Sequence, residues 1–342
     1  MTSRLRRAPA LLLAVVLCIF AIRAWWPAPA PLPSPEPVAP RAPAAVERVA
    51  TPPAATSGAT AAPPGEITLR RASDTPLADI APALQARADA GDAQAACRLG
   101  VDLLRCQALA YLTDDRAQAM AKQERELTEK GELDAANNTA AKLLEMVELQ
   151  RQCAGLDEDL IARGGHYLRQ AALAGEPDAV VRYAAGGAFG QSGSMNFITT
   201  PEFDQWRREA PALVQRALET GQPGAVLLML QSHSMNHNFL PWVTPPDAEA
   251  AEASLALARR VFGVGFDTSH FQIPVRDDPR HAAVAERRAA EWHDRHFDNA
   301  TLDFADAAHG LIPLHDAFGG IEWPLPGATV ALGQGCRPGE NH

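Results

Sequence analysis

The stretch Ala88–Ala95 reads Ala-Asp-Ala-Gly-Asp-Ala-Gln-Ala, and related segments occur at residues 172–179 and 218–225. In each segment a helix-favouring run precedes a central glycine, and apolar residues at three- and four-residue spacings follow it. Gly91, Gly175 and Gly221 suit the left-handed residue that ends a helix, because glycine has no Cβ to clash there. The sequence therefore predicts a helix, a tight glycine turn and a second helix, three times in succession.

The composition predicts an alanine-rich helical protein. Of its 342 residues, 47% are hydrophobic but only 6% are aromatic, so alanine and leucine carry most of the burial. Small side chains let packed helices approach closely, as a stack of helices requires. The formal net charge is −10 and the isoelectric point is near 5.5. Because such a chain lacks a positive field for a phosphate backbone, we expect no nucleic-acid partner.

The amino-terminal part is predicted to lie outside the folded domain. Arginines precede an apolar run at residues 8–22, and Trp25 and Trp26 follow it. This charge order predicts that residues 1–26 form a single-pass bacterial inner-membrane anchor, with its amino terminus in the cytoplasm and the remainder in the periplasm. The alternative is a cleaved signal sequence that releases a periplasmic protein. Residues 27–66 are rich in proline and alanine and are predicted to be a disordered linker.

The remaining chain is predicted to be all-α. Residues 77–262 form the expected repeat domain, with residues 107–152 as a helical hairpin inserted into its first unit. Residues 263–342 are expected to form a helical cap and a tail folded back over the stack, because a terminal repeat must cover its neighbour's apolar face. The predicted helices are Leu77–Ala90, Ala93–Arg105, Asp114–Lys130, Leu133–Gln152, Asp157–Leu173, Pro177–Ala188, Pro201–Thr220, Gly224–Gln231, Asp247–Phe262, Pro279–Phe297 and Thr301–His309.

The first copy, extended to residues 88–100, resembles the Sel-one-like repeat, a relative of the tetratricopeptide repeat. That family joins Ala-x-x-Gly-Asp-x-x-Ala to a following Leu-Gly pair, here Leu99 and Gly100. The second copy keeps Gly175 and the third keeps Gly221, both in more divergent surroundings. The resemblance implies an α/α superhelical solenoid that serves as a protein-binding scaffold, with no intrinsic catalysis and no cofactor.

Two arginines are candidate partner-binding residues. In solenoids of this kind the helix after each glycine lines the concave side, and Arg98 and Arg182 each stand seven residues beyond Gly91 and Gly175. They are therefore expected to project in parallel from neighbouring units. Because a planar guanidinium binds carboxylates through two hydrogen bonds, we predict a carboxylate-bearing protein or peptide partner. The third copy has Leu228 at this position.

No catalytic residue, metal ligand or cofactor site is predicted. The chain has no Gly-x-Ser-x-Gly motif and no phosphate-binding loop motif. Two histidine pairs have helical spacing but lack an evident third ligand, and the charged stretch at 114–132 is typical of a solvated helix face or a docking arm. The alternative function is an envelope hydrolase or metal-binding protein with an unrecognised site. Its candidate residues are His233, His237, His270, His281, Glu291, His293 and His296.

The cysteines predict two disulfide bonds. Cys18 lies in the apolar run, which leaves an even number of cysteines in a compartment expected to be oxidising. Cys97 and Cys106 belong to one predicted helix and face opposite sides, so they are not expected to pair. Cys106 and Cys153 stand at the two ends of the inserted hairpin and are predicted to bond. Cys97 would then pair with Cys336 and tie the tail to the first repeat.

Overall fold

The computed structural model describes residues 75–109, 113–189, 195–234, 239–245, 247–273, 278–311 and 333–337. All of them belong to one compact unit, Thr60–His342. Within these ranges the chain forms helices and turns without a β-strand, which confirms the all-α prediction. The predicted anchor at 1–26 and linker at 27–66 lie outside the described residues. None of the described helices has the length and hydropathy needed to cross a membrane.

The first helix pair has the predicted form. Helix α1 (Leu77–Asp89) and helix α2 (Ala93–Ala108) are joined through Gly91, whose φ is +94°. Asp92 caps α2, because its carboxylate accepts a 3.0 Å hydrogen bond from the Ala95 amide. The same left-handed glycine occurs at Gly175 and Gly221. The three glycine turns predicted from the sequence are therefore present.

An antiparallel hairpin follows, as expected for the insertion. Helix α3 (Asp114–Glu129) buries no residue, and helix α4 (Leu133–Cys153) packs against it and against the ends of α1 and α2. The three- and four-residue spacing of apolar residues in Leu133–Gln152 predicts an amphipathic helix, but Leu133, Leu144 and Val147 of its apolar stripe are 60%, 71% and 63% exposed. The apolar side chains Ala117 and Met120 of α3 pack against Met146 and leave that stripe uncovered.

The single helix predicted at Asp157–Leu173 is two helices, α5 (Glu158–Ala162) and α6 (Gly164–Leu173). The break lets Gly164 pack directly on α2, where a Cβ would lie 3.0 Å from the Leu104 amide nitrogen. Gly100 of α2 meets α6 in the same way, because a Cβ on it would lie 2.5 Å from the Leu168 nitrogen. Glycines on both helices thus set the close α2–α6 contact, and this explains physically the Leu-Gly pair of the first copy.

The next two units continue the packing of neighbouring helices. The chain forms α7 (Pro177–Ala184), α8 (Pro201–Glu219), α9 (Pro223–His233) and α10 (Ala248–Val261), and each packs on its predecessor. Helix α7 is shorter than predicted, because Gly186 adopts a φ of +84° beyond its end. Helices α7 and α9, which both follow a glycine turn, also contact each other.

The carboxyl-terminal elements are α11 (Pro279–Phe297), which packs on α10, and the short helix α12 (Phe304–Ala308). The predicted helix Thr301–His309 is therefore only α12, and it continues as a 3-10 turn at His309–Leu311. Helix α12 packs on α9, and this turn packs on α7. Further 3-10 turns lie at Met195–Thr199, Leu240–Trp242 and Ser269–Phe271. Residues 304–311 thus lie against α7 and α9, two of the helices that follow glycine turns.

Candidate binding face beneath the carboxyl-terminal segment

A short peptide segment, Gly333–Arg337, lies on α2 and α7 and is called the tail segment below. The surface of α2 and α7 under it is called the covered face. A disulfide bond joins Cys336 of the tail segment to Cys97 of α2, with Cα atoms 6.0 Å apart and 239 residues between them in sequence. The predicted return of the tail to the helix that carries Cys97 is therefore seen at these residues.

Side chains of the covered face bind the backbone of the tail segment at several points. Asp102 accepts a 2.9 Å hydrogen bond from the Gly333 amide, and Asp178 accepts one of 2.9 Å from the Arg337 amide. In return, Gln94 donates to the Arg337 carbonyl at 3.0 Å. Arg182 approaches the Gly335 carbonyl at 3.5 Å. Side chains of two helices thus satisfy donors and acceptors along the segment, which is how a groove recognises a peptide backbone.

Arg337 is the one long side chain that anchors the segment. Its Nη2 lies 3.0 Å from Asp178 Oδ1, and its Nη1 lies 2.7 Å from Asp306 Oδ1. Nη2 also donates to the Asp306 carbonyl at 2.8 Å. Two carboxylates on α7 and α12 therefore enclose one guanidinium, and such charge-assisted bonds are stronger than neutral ones.

Two carboxyl groups at the start of α7 have opposite pKa shifts. Burial alone would raise the pKa of Asp178, but the adjacent His309 ring and the hydrogen bonds from Arg337 hold that pKa well below its ordinary value. The His309 Nδ1 lies 3.2 Å from Asp178 Oδ2. Burial, together with the negative charge of Asp178, raises the pKa of Glu176 to about 7. Glu176 also caps α7 by accepting from the Ala179 amide at 2.6 Å.

Arg98 and Arg182, the predicted partner-binding arginines, are both buried under the tail segment, with 4% and 3% of their surface exposed. Arg98 lies 3.7 Å from Asp102, and Arg182 donates to the His309 carbonyl at 3.2 Å. Burial lowers the pKa of Arg182 to about 10, so it remains charged at neutral pH. The described contacts of both arginines are therefore with groups of this chain.

Burial raises the pKa of Asp102 to about 6, and the Gly333 amide, Arg98 and Arg105 oppose that rise. At neutral pH its carboxyl group is therefore mainly ionised and accepts the amide hydrogen of the tail segment. Arg105 pairs on its other side with Glu145 of the inserted hairpin at 3.0 Å. On α2, Asp102 thus contacts the tail segment and Arg105 contacts the hairpin.

Gly335 sets the closest approach between the tail segment and α2. A Cβ at this position would collide with Val101 Cγ1 and would lie 2.9 Å from Val101 Cβ. Val101 has no exposed surface and belongs to the hydrophobic core, so it has no free space in which to move away. The covered face therefore accommodates a residue without a side chain at this point.

The second cysteine pair is also the one expected from the sequence. Cys106 and Cys153 are disulfide-bonded with Cα atoms 5.6 Å apart, and they connect the end of α2 to the end of α4. The bond closes the base of the inserted hairpin. Because α3 buries no residue, this covalent link and the Arg105–Glu145 pair are major attachments of the hairpin.

An open pocket of 590 Å³ lies apart from the tail segment, between α6, α7 and α8. Its polar wall is a network in which Glu209 accepts hydrogen bonds from Arg169 at 2.5 Å and from the Tyr183 hydroxyl at 2.9 Å. Burial and this bond raise the pKa of Tyr183. His166 and Phe189 also line the pocket. Its charged groups are thus largely neutralised by one another.

The histidines considered for metal or hydrolytic chemistry are spread over separate contacts. His293 is buried and its Nε2 is 2.8 Å from the Ala300 carbonyl, whereas His281 lies 3.9 Å from Asp278. Burial lowers the pKa of His233. His237 and the side chain of His270 lie outside the described residues. Among the described residues, one group with metal-ligand spacing is Cys97, Glu176 and Cys336, within 4.8 Å, but both sulfurs are engaged in the disulfide.

No family model, curated protein or solved structure matches this chain. Sequence reasoning missed Asp102, Asp178, Gln94 and Arg337 as residues of the covered face. The spacing of the two aspartates could have indicated them. Asp102 and Asp178 each stand four residues from a predicted binding arginine, Arg98 or Arg182, and so lie one turn away on the same helix.

Proposed function

We propose that this chain is a helical-repeat scaffold that binds a segment of a partner protein on the covered face, and that the tail segment is a ligand held there in cis. The observation that carries the proposal is the recognition of the tail segment through its backbone, from Asp102 and Gln94 on α2 and Asp178 and Arg182 on α7. A face that binds main-chain amides and carbonyls by hydrogen bonds can bind other peptide segments of suitable shape.

The proposal extends to the cellular location. A basic, then apolar, amino terminus and two disulfide bonds are typical of a protein that is exported and either anchored in the inner membrane or released into the periplasm. The proline-rich residues 27–66 would then hold the scaffold away from the bilayer, where it meets an envelope partner.

Binding in trans tests the proposed function. The receptor is the full chain carrying Cys97→Ser, Cys336→Ser and Arg337→Ala, which weakens the cis contact so that the attached tail competes less strongly with an added peptide. The ligand is a synthetic peptide of residues 331–340 with serine in place of Cys336. Calorimetry should show saturable binding with one peptide per chain.

The matched control is the same receptor with Asp178→Asn added, which removes the carboxylate that accepts from both the amide and the guanidinium of Arg337. We expect this control to bind at least about tenfold more weakly, since charge-assisted hydrogen bonds are lost. If the two receptors show the same affinity, or neither binds the peptide, the covered face is only an internal packing surface.

A further inference from the structure

We propose that the covered face is specific for partner segments in which a glycine stands two positions before an arginine, Gly-X-Arg. This inference rests on the proposed function and names the kind of partner that the face fits. It follows from the contacts of Gly335 and Arg337, which differ in kind from the backbone contacts around them.

The glycine requirement is steric. Val101 closes the floor of the face under Gly335, and a Cβ there would collide with Val101 Cγ1. Val101 is fully buried in α2, so a larger residue forces the segment to lift away. Because the amide of residue 337 and the carbonyl of residue 335 are both held, a lifted segment loses these hydrogen bonds together.

The arginine requirement is electrostatic and geometric. Three guanidinium nitrogens of Arg337 are engaged: Nε and Nη2 with Asp178, and Nη1 with Asp306. The single ammonium group of a lysine cannot reach two carboxylates and the Asp306 carbonyl in this planar arrangement. The acidic pair also selects a basic residue, so the favoured partner is cationic at this position and not the carboxylate-bearing ligand expected from Arg98 and Arg182.

The residue between them is expected to be small. The Cys336 side chain is buried, and its sulfur lies within 4.8 Å of the Glu176 carboxylate as well as being bonded to Cys97. A long side chain would have to displace the start of α7. Gln334, by contrast, is exposed and imposes no restriction. The preferred sequence is therefore Gly, a small residue, then Arg, after a variable residue.

A peptide series tests this specificity on the same full-chain receptor with Cys97→Ser, Cys336→Ser and Arg337→Ala. The series contains the parent peptide of residues 331–340 with serine at the cysteine position, and its Gly335→Ala, Arg337→Lys and Gln334→Ala forms. We expect the alanine and lysine changes at 335 and 337 to weaken binding by at least about tenfold. The Gln334→Ala peptide should bind within about twofold of the parent, because an exposed residue contributes little.

Failure of the specificity and failure of the proposed function give different results. If the Gly335→Ala and Arg337→Lys peptides bind like the parent, the face binds peptides without the proposed selection. If no peptide binds, the proposed function fails as well. A concentration-dependent dimer of the chain carrying only Cys97→Ser and Cys336→Ser, abolished by Gly335→Ala, would assign the face to a second copy and overturn the assignment to a partner.

A measurement in cis is independent of the affinity in trans. In the full chain with Cys97→Ser and Cys336→Ser, hydrogen exchange reports protection of the Arg337 amide, which donates to Asp178. Gly335→Ala and Arg337→Lys should each lower that protection by at least about tenfold, whereas Gln334→Ala should not change it. Equal protection in all variants would overturn the inference.

Discussion

Arg337 and Asp178 are 159 residues apart in the chain and are joined through three nitrogens of Arg337, the main-chain amide at 2.9 Å, Nε at 3.3 Å and Nη2 at 3.0 Å. Both oxygens of Asp178 are therefore used by one residue of the tail segment. The side chain of Asp178 is 4% exposed, whereas that of Arg337 is 40% exposed. The carboxylate is thus the buried partner, and the hydrogen bonds from Arg337 lower its pKa against the effect of burial.

Loss of the Asp178 charge should destabilise the protein. Asp178→Asn leaves the guanidinium of Arg337 and the ring of His309 beside a neutral amide, and removing one partner of a buried ion pair costs about 3 kcal/mol. Asp306→Asn is the matched control, because Asp306 is 65% exposed and should cost less than about 1 kcal/mol. Urea denaturation of the oxidised proteins measures both changes, and equal losses would contradict this account of Asp178.

Glu176 should make the protein less stable as the pH rises. Its pKa is about 7 in the folded protein against an ordinary value of 4.5, so the folded state binds the proton more tightly. The resulting stabilisation is fully present below pH 4.5 and is lost as the pH rises towards 7. At about 1.4 kcal/mol per pKa unit, the loss is up to about 3 kcal/mol.

Glu176→Gln should remove this loss, because a glutamine cannot ionise and the third unit already has Gln222 before its corresponding helix. We expect the variant to match the parent near pH 5 and to exceed it at pH 8 in free energy of unfolding. Denaturant midpoints at the two pH values decide the matter. A variant that is less stable than the parent at pH 8 would show that capping of α7, and not the ionisation, dominates.

Asp178 should act in the opposite pH range. Its pKa is lowered in the folded protein, so its contribution to stability is present above the ordinary value of 3.8 and is lost as the pH falls below it. The parent should therefore lose stability between pH 4 and pH 2 more steeply than Asp178→Asn. Parallel acid titrations followed by circular dichroism test this, and identical acid midpoints would show that Asp178 is not the group responsible.

Gly100→Ala should be much more damaging than Gly91→Ala. A Cβ at Gly100 would lie 2.5 Å from the Leu168 nitrogen and 2.9 Å from its Cα, so α2 and α6 must separate, at a cost of about 3 kcal/mol. Gly91 has open space around it and only its φ of +94° opposes alanine, which costs about 1 kcal/mol. Thermal unfolding compares the two variants. Similar losses would mean that the turn, and not the helix contact, limits the first unit.

The disulfide Cys106–Cys153 should stabilise mainly the inserted hairpin. It closes a loop of 47 residues, for which the chain-entropy model gives about 4 kcal/mol. Replacing both cysteines with serine should raise hydrogen exchange in α3 and α4 but leave the tail segment protected. If exchange rises in the tail segment instead, the hairpin and the covered face are coupled through Arg105 and Asp102.

Local patterns account for much of the fold. The turns at Gly91, Gly175 and Gly221 follow from a residue that alone adopts a positive φ without strain, and both cysteine pairs follow from helix geometry and an even cysteine count. The exposed stripe of α4 shows the limit of this reasoning. Its spacing places Leu144 on the apolar side of α4, but burial needs an apolar partner at that point, and the apolar side chains Ala117 and Met120 of α3 pack on Met146 instead.

The covered face was only partly predictable. Arg98 and Arg182 each stand seven residues after a glycine, which predicts that they occupy corresponding positions on their helices. This spacing does not predict which other segment of the chain packs on them. The tail segment comes from a region rich in glycine and proline without helical periodicity, so Arg337 has no pattern that connects it to Asp178. Long-range partners of this kind follow from the tertiary packing alone.

Trapping the peptide in trans tests the central claim most directly. The protein is the full chain with Cys336→Ser, in which Cys97 of the covered face keeps a free thiol. The reagent is a peptide of residues 331–340 whose cysteine forms a mixed disulfide with an aromatic thiol. Attack of the Cys97 thiolate on the peptide sulfur joins peptide to protein and releases the aromatic thiolate, which is measured by absorbance. We predict that the parent peptide reacts at least about tenfold faster than a peptide with the same composition in scrambled order, because binding raises the effective concentration at Cys97. The same rate for both peptides would contradict the claim that the covered face is a peptide-binding site.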